Sequence, residues 1–73
     1  MSRFTNQEIR LLRQARQKKQ EYMALKMGIT KQRYSKLERN DNRPIERTLE
    51  ILSALGYTEE MAKKFLDKIP HQE

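Results

Sequence analysis

A chain of 73 residues with a formal charge of +6 can hold one domain and one modest core, which leaves no room for a large active-site cavity or a separate sensor domain. It contains no Cys, so disulfides and thiolate metal sites are excluded, and its only His, His71, reads as a solvated imidazole in the polar tail 70–73 behind a domain over residues 1–69. No apolar run reaches the length of a membrane span and the start MSRFTNQE lacks a signal-peptide stretch, so the expectation is a soluble, cytoplasmic chain that binds no membrane.

The positive charge is unevenly placed. Residues 1–40 carry eleven Lys or Arg against Glu8, Glu21 and Glu38, a net of +8, whereas residues 41–73 carry five against seven acids, a net of −2. A basic half implies a polyanionic partner, because each phosphate it neutralises releases condensed counterions.

In chain order, Thr5 reads as an N-cap with Glu8 as its capping-box partner and Phe4 packed on Ile9 as a hydrophobic staple, so a first helix begins near Asn6. Ile9, Leu12 and Ala15 supply its apolar face, Arg10, Arg13, Arg16 and Lys18 make the rest basic, and it ends around Gln17. The segment QEYMALKMG places Met23, Ala24 and Met27 on one stripe of a second helix that Gly28 closes. Tyr22 and Leu25 point partly outward, where the Tyr can lie along a nucleic-acid backbone or pack on Arg16. Thr30 then caps a third helix, KQRYSKLER, with Tyr34 and Leu37 spaced for burial. Residues 40–44 form a loop, and Pro44 suits the first turn of a fourth helix with its stripe at Ile45, Thr48, Leu49, Leu52 and Leu55 up to Gly56. A fifth helix starts at Thr58 and presents Met61, Ala62, Phe65, Leu66 and Ile69. No segment carries a strand signal, and the fold class is all-α with five helices.

The short join Gly28-Ile29-Thr30 forces the second and third helices to cross steeply, so the third projects. With Tyr34 and Leu37 inward, Gln32, Ser35, Lys36 and Arg39 turn outward, flanked by Lys31 and Arg33. Gln32 suits adenine N6 and N7, Lys31 and Lys36 suit guanine O6 and N7, and Ser35 suits base or phosphate. Arg33 and Arg39 are placed for phosphate, though either can reach a base.

These residues resemble the helix-turn-helix family of lambda-type phage repressors and Cro. The resemblance rests on Ile9, Leu12, Arg13, Gln20-Glu21, Ala24, Gly28-Ile29-Thr30, Tyr34-Ser35, Leu37-Glu38, Pro44 and Leu55-Gly56, about two thirds of the chain. It implies a five-helix lambda-repressor-like domain that puts its third helix into the major groove of double-stranded DNA, usually as a homodimer on a palindromic operator. By position, Lys31, Gln32 and Lys36 then touch base edges, Gln20 and Arg43 touch phosphates, and Arg13 and Glu38 form a structural ion pair between helices one and three.

This chain departs from the family pattern where Lys18 and Lys19 replace an apolar residue and a Ser or Thr cap, and where Arg39-Asn40 replaces Asn-Gly. Lys19 is disfavoured at a helix N-terminus, so Lys18 and Lys19 are either phosphate contacts or a poorly capped loop. Met61, Phe65 and Ile69 form a line that serves as a dimer interface or merely covers helices one and four. The functional expectation is a transcriptional regulator, a repressor, in a bacterial or phage-encoded, nucleoid-associated setting. An antitoxin or adaptor that holds a protein partner such as a toxin is the alternative. No constellation for catalysis, no metal site and no cofactor can be assembled from these residues.

Overall fold

The computed structural model describes residues 4–69. These form five helices and, among the described residues, no strand: α1 (Asn6–Ala15), α2 (Gln20–Met27), α3 (Lys31–Arg39), α4 (Ile45–Leu55) and α5 (Glu59–Asp67). The tail 70–73, with His71, lies outside the described residues.

Local chemistry explains most helix ends. The Thr5 hydroxyl accepts from the Glu8 N–H at 3.1 Å and the Glu8 carboxylate accepts from the Thr5 N–H at 2.9 Å, a complete capping box. Phe4 and Ile9, on either side of it, are both buried. Thr30 and Thr58 cap α3 and α5 by accepting from the N–H groups of Arg33 and Met61. Pro44 is the N-cap of α4 and so stands just outside the first turn where its sequence position suggested it.

Three helices end by one device, in which a residue in the left-handed region lets the next N–H reach back to a last-turn carbonyl. Gly28 (φ 70) and Gly56 (φ 83) do this for α2 and α4, with Ile29 N–H bonded to Ala24 O at 3.0 Å and Tyr57 N–H to Leu52 O at 2.9 Å. At the end of α1 the same role falls to Gln17 (φ 57), and Lys18 N–H reaches Arg13 O at 3.3 Å. Helix α1 therefore stops at Ala15, short of the expected end at Gln17, and Ala15 is exposed instead of continuing the apolar face.

The core gathers Ile9 and Leu12 of α1, Met23 and Ala24 of α2, Tyr34 of α3, Ile51, Leu52 and Leu55 of α4, Tyr57, and Ala62 of α5. Two of these are absent from the sequence-based stripes. Ile51 is fully buried while Leu49, expected inside, is 43% exposed, because α4 packs against both α2 and α5 and so buries a different arc. Tyr57 follows the αL residue Gly56 and folds back into the core, where its hydroxyl donates to Leu12 O at 3.2 Å.

Candidate nucleic-acid interface

The turn Gly28-Ile29-Thr30 ends α2 and starts α3 without an intervening loop, and Ile29 packs against the core. Tyr34 is completely buried, which pins α3 by one face. Lys31, Gln32, Arg33, Lys36 and Arg39 are then all exposed, and Ser35 is half-buried. The span from Lys31 to Arg39 is about 12 Å along the axis at the helical rise, comparable to the width of the DNA major groove. Among these residues Arg39 is partly tied back, its Nε donating to Ser35 O at 3.3 Å.

The only carboxylate of α3, Glu38, does not dilute this basic face, because it is buried and neutralised from behind. Arg13 Nε donates to Glu38 Oε2 at 2.8 Å and Arg13 Nη2 to Glu38 Oε1 at 3.2 Å, a two-bond pair across α1 and α3. Gln20 Nε2 adds a third bond to Glu38 Oε1 at 3.3 Å. Burial alone would raise the Glu38 carboxyl, but the hydrogen bonds and charge of Arg13, with the nearby Tyr34 hydroxyl and the Gln20 amide, outweigh it and hold the group below its usual value. Gln20 Nε2 carries a second hydrogen, so the phosphate contact expected of Gln20 is compatible with its bond to Glu38. The Tyr34 hydroxyl is buried with no hydrogen bond of good geometry, although Glu38 acts on it; desolvation first, then that negative charge, push the phenol above its ordinary value.

Arg43 requires a correction. Expected at the DNA backbone, it is 2% exposed, with its guanidinium turned inward onto Asn40 O (2.8 Å), Phe4 O (2.8 Å) and the Thr48 hydroxyl (3.0 Å). The reason is local: the last carbonyls of α3 have no helical partner, and a cation at a helix C-terminus satisfies both them and the helix dipole. Desolvation lowers the Arg43 pKa from a value so far above neutrality that it remains cationic. A basic residue one to four positions beyond a helix end is the sequence signal that could have suggested this role.

Two short helices joined by a three-residue turn, with a bare basic face on the second, define a helix-turn-helix. The model of the helix-turn-helix family of lambda repressor/Cro type matches residues 9–61, from α1 into the first turn of α5. The chain belongs to this family. As a member it is a DNA-binding helix-turn-helix protein. No curated protein and no solved structure matches the chain.

Arg13 also shapes the approach to the helix-turn-helix. Besides gripping Glu38, its Nη1 donates to Lys18 O at 2.8 Å, so one guanidinium fixes both the ion pair and the join between α1 and α2. Lys19 stands at the N-cap of α2 with no side-chain hydrogen bond. Lys18 is half-buried with Nζ 4.6 Å above the Tyr22 ring, and Lys26 Nζ is 6.0 Å from the same ring. Arg16 does not pack on Tyr22; it stacks on Tyr57 at 4.3 Å.

Helix α5 buries Ala62 fully and Phe65 and Leu66 in part, Met61 is 45% exposed, and Ile69, past the helix end, is half-buried. Phe65 meets Tyr57 at 6.4 Å between ring centroids. Of the line Met61, Phe65 and Ile69, Phe65 packs against the core and Met61 shows solvent an apolar edge. Among the described residues no helix is long and apolar enough to cross a membrane, and no group of three or more acidic or His residues could hold a metal ion.

Proposed function

We propose that the protein is a sequence-specific regulator of transcription, a repressor, that reads the major groove with α3 as a dimer on a palindromic operator. The observation that carries this reading is the composition of the exposed face of α3. Lys31, Gln32, Arg33, Lys36 and Arg39 are all accessible, and the single carboxylate of the helix is sealed behind it. Lys31, Gln32, Ser35 and Lys36 are the base readers in this proposal. Lys18, Lys19, Gln20, Arg33 and Arg39 are the phosphate contacts, which fix register without carrying sequence information.

A repressor needs only to occupy its operator, and a DNA-reading surface such as that of α3 is suited to that mode of action. Selection from random duplexes tests the reading directly. The expected winners are inverted repeats whose half-sites lie about one helical turn, ~34–36 Å, apart. Recovery of no consensus would overturn it. The exposed edge at Met61 also favours a second use, in which α5 docks a protein partner such as a toxin in place of a second copy.

A further inference from the structure

Arg43 is a buried cation, and among the described residues no carboxylate lies within ion-pair distance of it. Burying an unpaired charge is costly, and here six oxygen acceptors offset the cost. Nη1 donates to Leu37 O, Glu38 O and Asn40 O at 3.4, 3.3 and 2.8 Å, all at the C-terminal end of α3. Nη2 donates to Phe4 O and Thr5 O at 2.8 and 3.5 Å, at the start of α1. Nε donates to the Thr48 hydroxyl of α4 at 3.0 Å. Two further bonds link α1 to the end of α3 and the loop after it: Asn6 N–H to Asp41 Oδ1 at 3.2 Å and Asn6 Nδ2 to Arg39 O at 3.3 Å.

The N-terminal end of α3 is set by the turn from α2, and at the other end this bracket holds the terminal carbonyls while the Arg13 and Gln20 bonds hold the Glu38 side chain. A tilt of about 5° over the ~12 Å length of α3 moves its far end by about 1 Å. Contacts to base edges tolerate only about 0.5 Å of misplacement, whereas flexible Lys and Arg side chains can still find phosphates. A loosened bracket should therefore damage specific binding far more than non-specific binding.

We infer that Arg43 is a positioning residue for sequence readout: it fixes the orientation of α3 from inside the protein and does not touch DNA. The inference rests on α3 being the reading helix. The test titrates the selected operator and a scrambled duplex across a salt series with wild-type protein, Arg43→Lys, Thr48→Val and Thr48→Ser. Arg43→Lys is expected to lose about tenfold or more of the preference for operator over scrambled duplex, with the salt slope of wild type retained, because no phosphate contact is removed. Thr48→Val should fall in the same direction, and Thr48→Ser, which keeps the accepting hydroxyl, should not.

A salt slope shallower by about one in Arg43→Lys would make Arg43 a phosphate contact and overturn the inference. Full preference retained in a folded Arg43→Lys would reduce it to a structural residue and overturn it equally. Should circular dichroism show Arg43→Lys unfolded, the Val and Ser substitutions at Thr48 decide in its place. Gln32→Ala and Lys36→Ala separate the two failures. Loss of preference in these alone overturns the role of Arg43, whereas a wild type with no preference overturns the reading of α3 itself.

Discussion

Arg13 and Gln20 supply three hydrogen bonds to Glu38, and the bonds and charge of Arg13 do most to keep it ionised inside the protein. Removing Arg13 strands that carboxylate. Arg13→Ala should cost about 3 kcal/mol, the low end for a broken buried pair because the Arg13 side chain is 11% exposed, as read from the urea midpoint. The lowered pKa of Glu38 fixes the sign of a pH effect. Its contribution to stability is complete above the unfolded carboxyl value of about 4.3 and is lost as pH falls through the lower folded value. Glu38→Gln should therefore flatten the acid limb of the stability profile below that pH, and an unchanged limb would assign acid sensitivity to other carboxylates. On the DNA side, Gln32→Ala and Lys36→Ala should each cost about 1–3 kcal/mol on the operator and relax preference at one base pair. Gln20→Ala should weaken every duplex alike. Equal losses on operator and random duplex for Gln32→Ala and Lys36→Ala would count against base readout.

The ends of α2 and α4 were legible in the sequence because Gly28 and Gly56 advertise the left-handed conformation, and the Thr caps and capping box were legible for the same kind of reason. The end of α1 was not, since Gln17 is a poor candidate for φ 57 and only Arg13, holding Lys18 O, reveals why it is there. Glu38 facing Arg13 was reachable through family resemblance, but the inward turn of Arg43 depends on carbonyls contributed by α1 and α3 together, which no periodicity displays. Ile51 and Tyr57 were missed because stripes at three- and four-residue spacing do not say how wide an arc the neighbours cover. At the scale of the element, Gln17→Gly should raise stability by about 0.5–1 kcal/mol by relieving the left-handed strain of a side-chain-bearing residue, offset in part by glycine's chain entropy. Lys19→Ser should also stabilise, by about 0.5–1 kcal/mol, because it gives α2 the side-chain cap it lacks. If Lys19 serves a phosphate, the same substitution should lower DNA affinity and reduce the salt slope by about one, measured by fluorescence anisotropy. A stabilised variant with an undiminished slope would leave Lys19 as nothing more than a poor cap.

Across the whole molecule, charge is segregated by sequence half: the net +8 of residues 1–40 contains the helix-turn-helix, and the net −2 of residues 41–73 contains α4 and α5. Two of the exposed apolar side chains, Leu49 at 43% and Met61 at 45% exposed, belong to the acidic half. A dimer formed through that half would bring together surfaces of low net charge and leave both basic faces for DNA, the arrangement that a palindromic operator needs. Met61→Glu tests this without endangering the fold. Met61 is the third residue of α5 behind the N-cap Thr58, so a Glu there can complete a capping box and is favoured by the helix dipole. The substitution should leave the thermal midpoint at or above wild type. Two such carboxylates buried at a shared interface would repel each other and resist desolvation. Sedimentation is expected to show two wild-type protomers per operator and a weakened or abolished dimer for Met61→Glu. Affinity for the palindrome should fall toward that for an isolated half-site, while half-site affinity stays at the wild-type value. Wild-type protein that sediments as a monomer both free and on operator DNA would refute the dimer, and an unaltered dimer in Met61→Glu would move its interface away from this edge of α5.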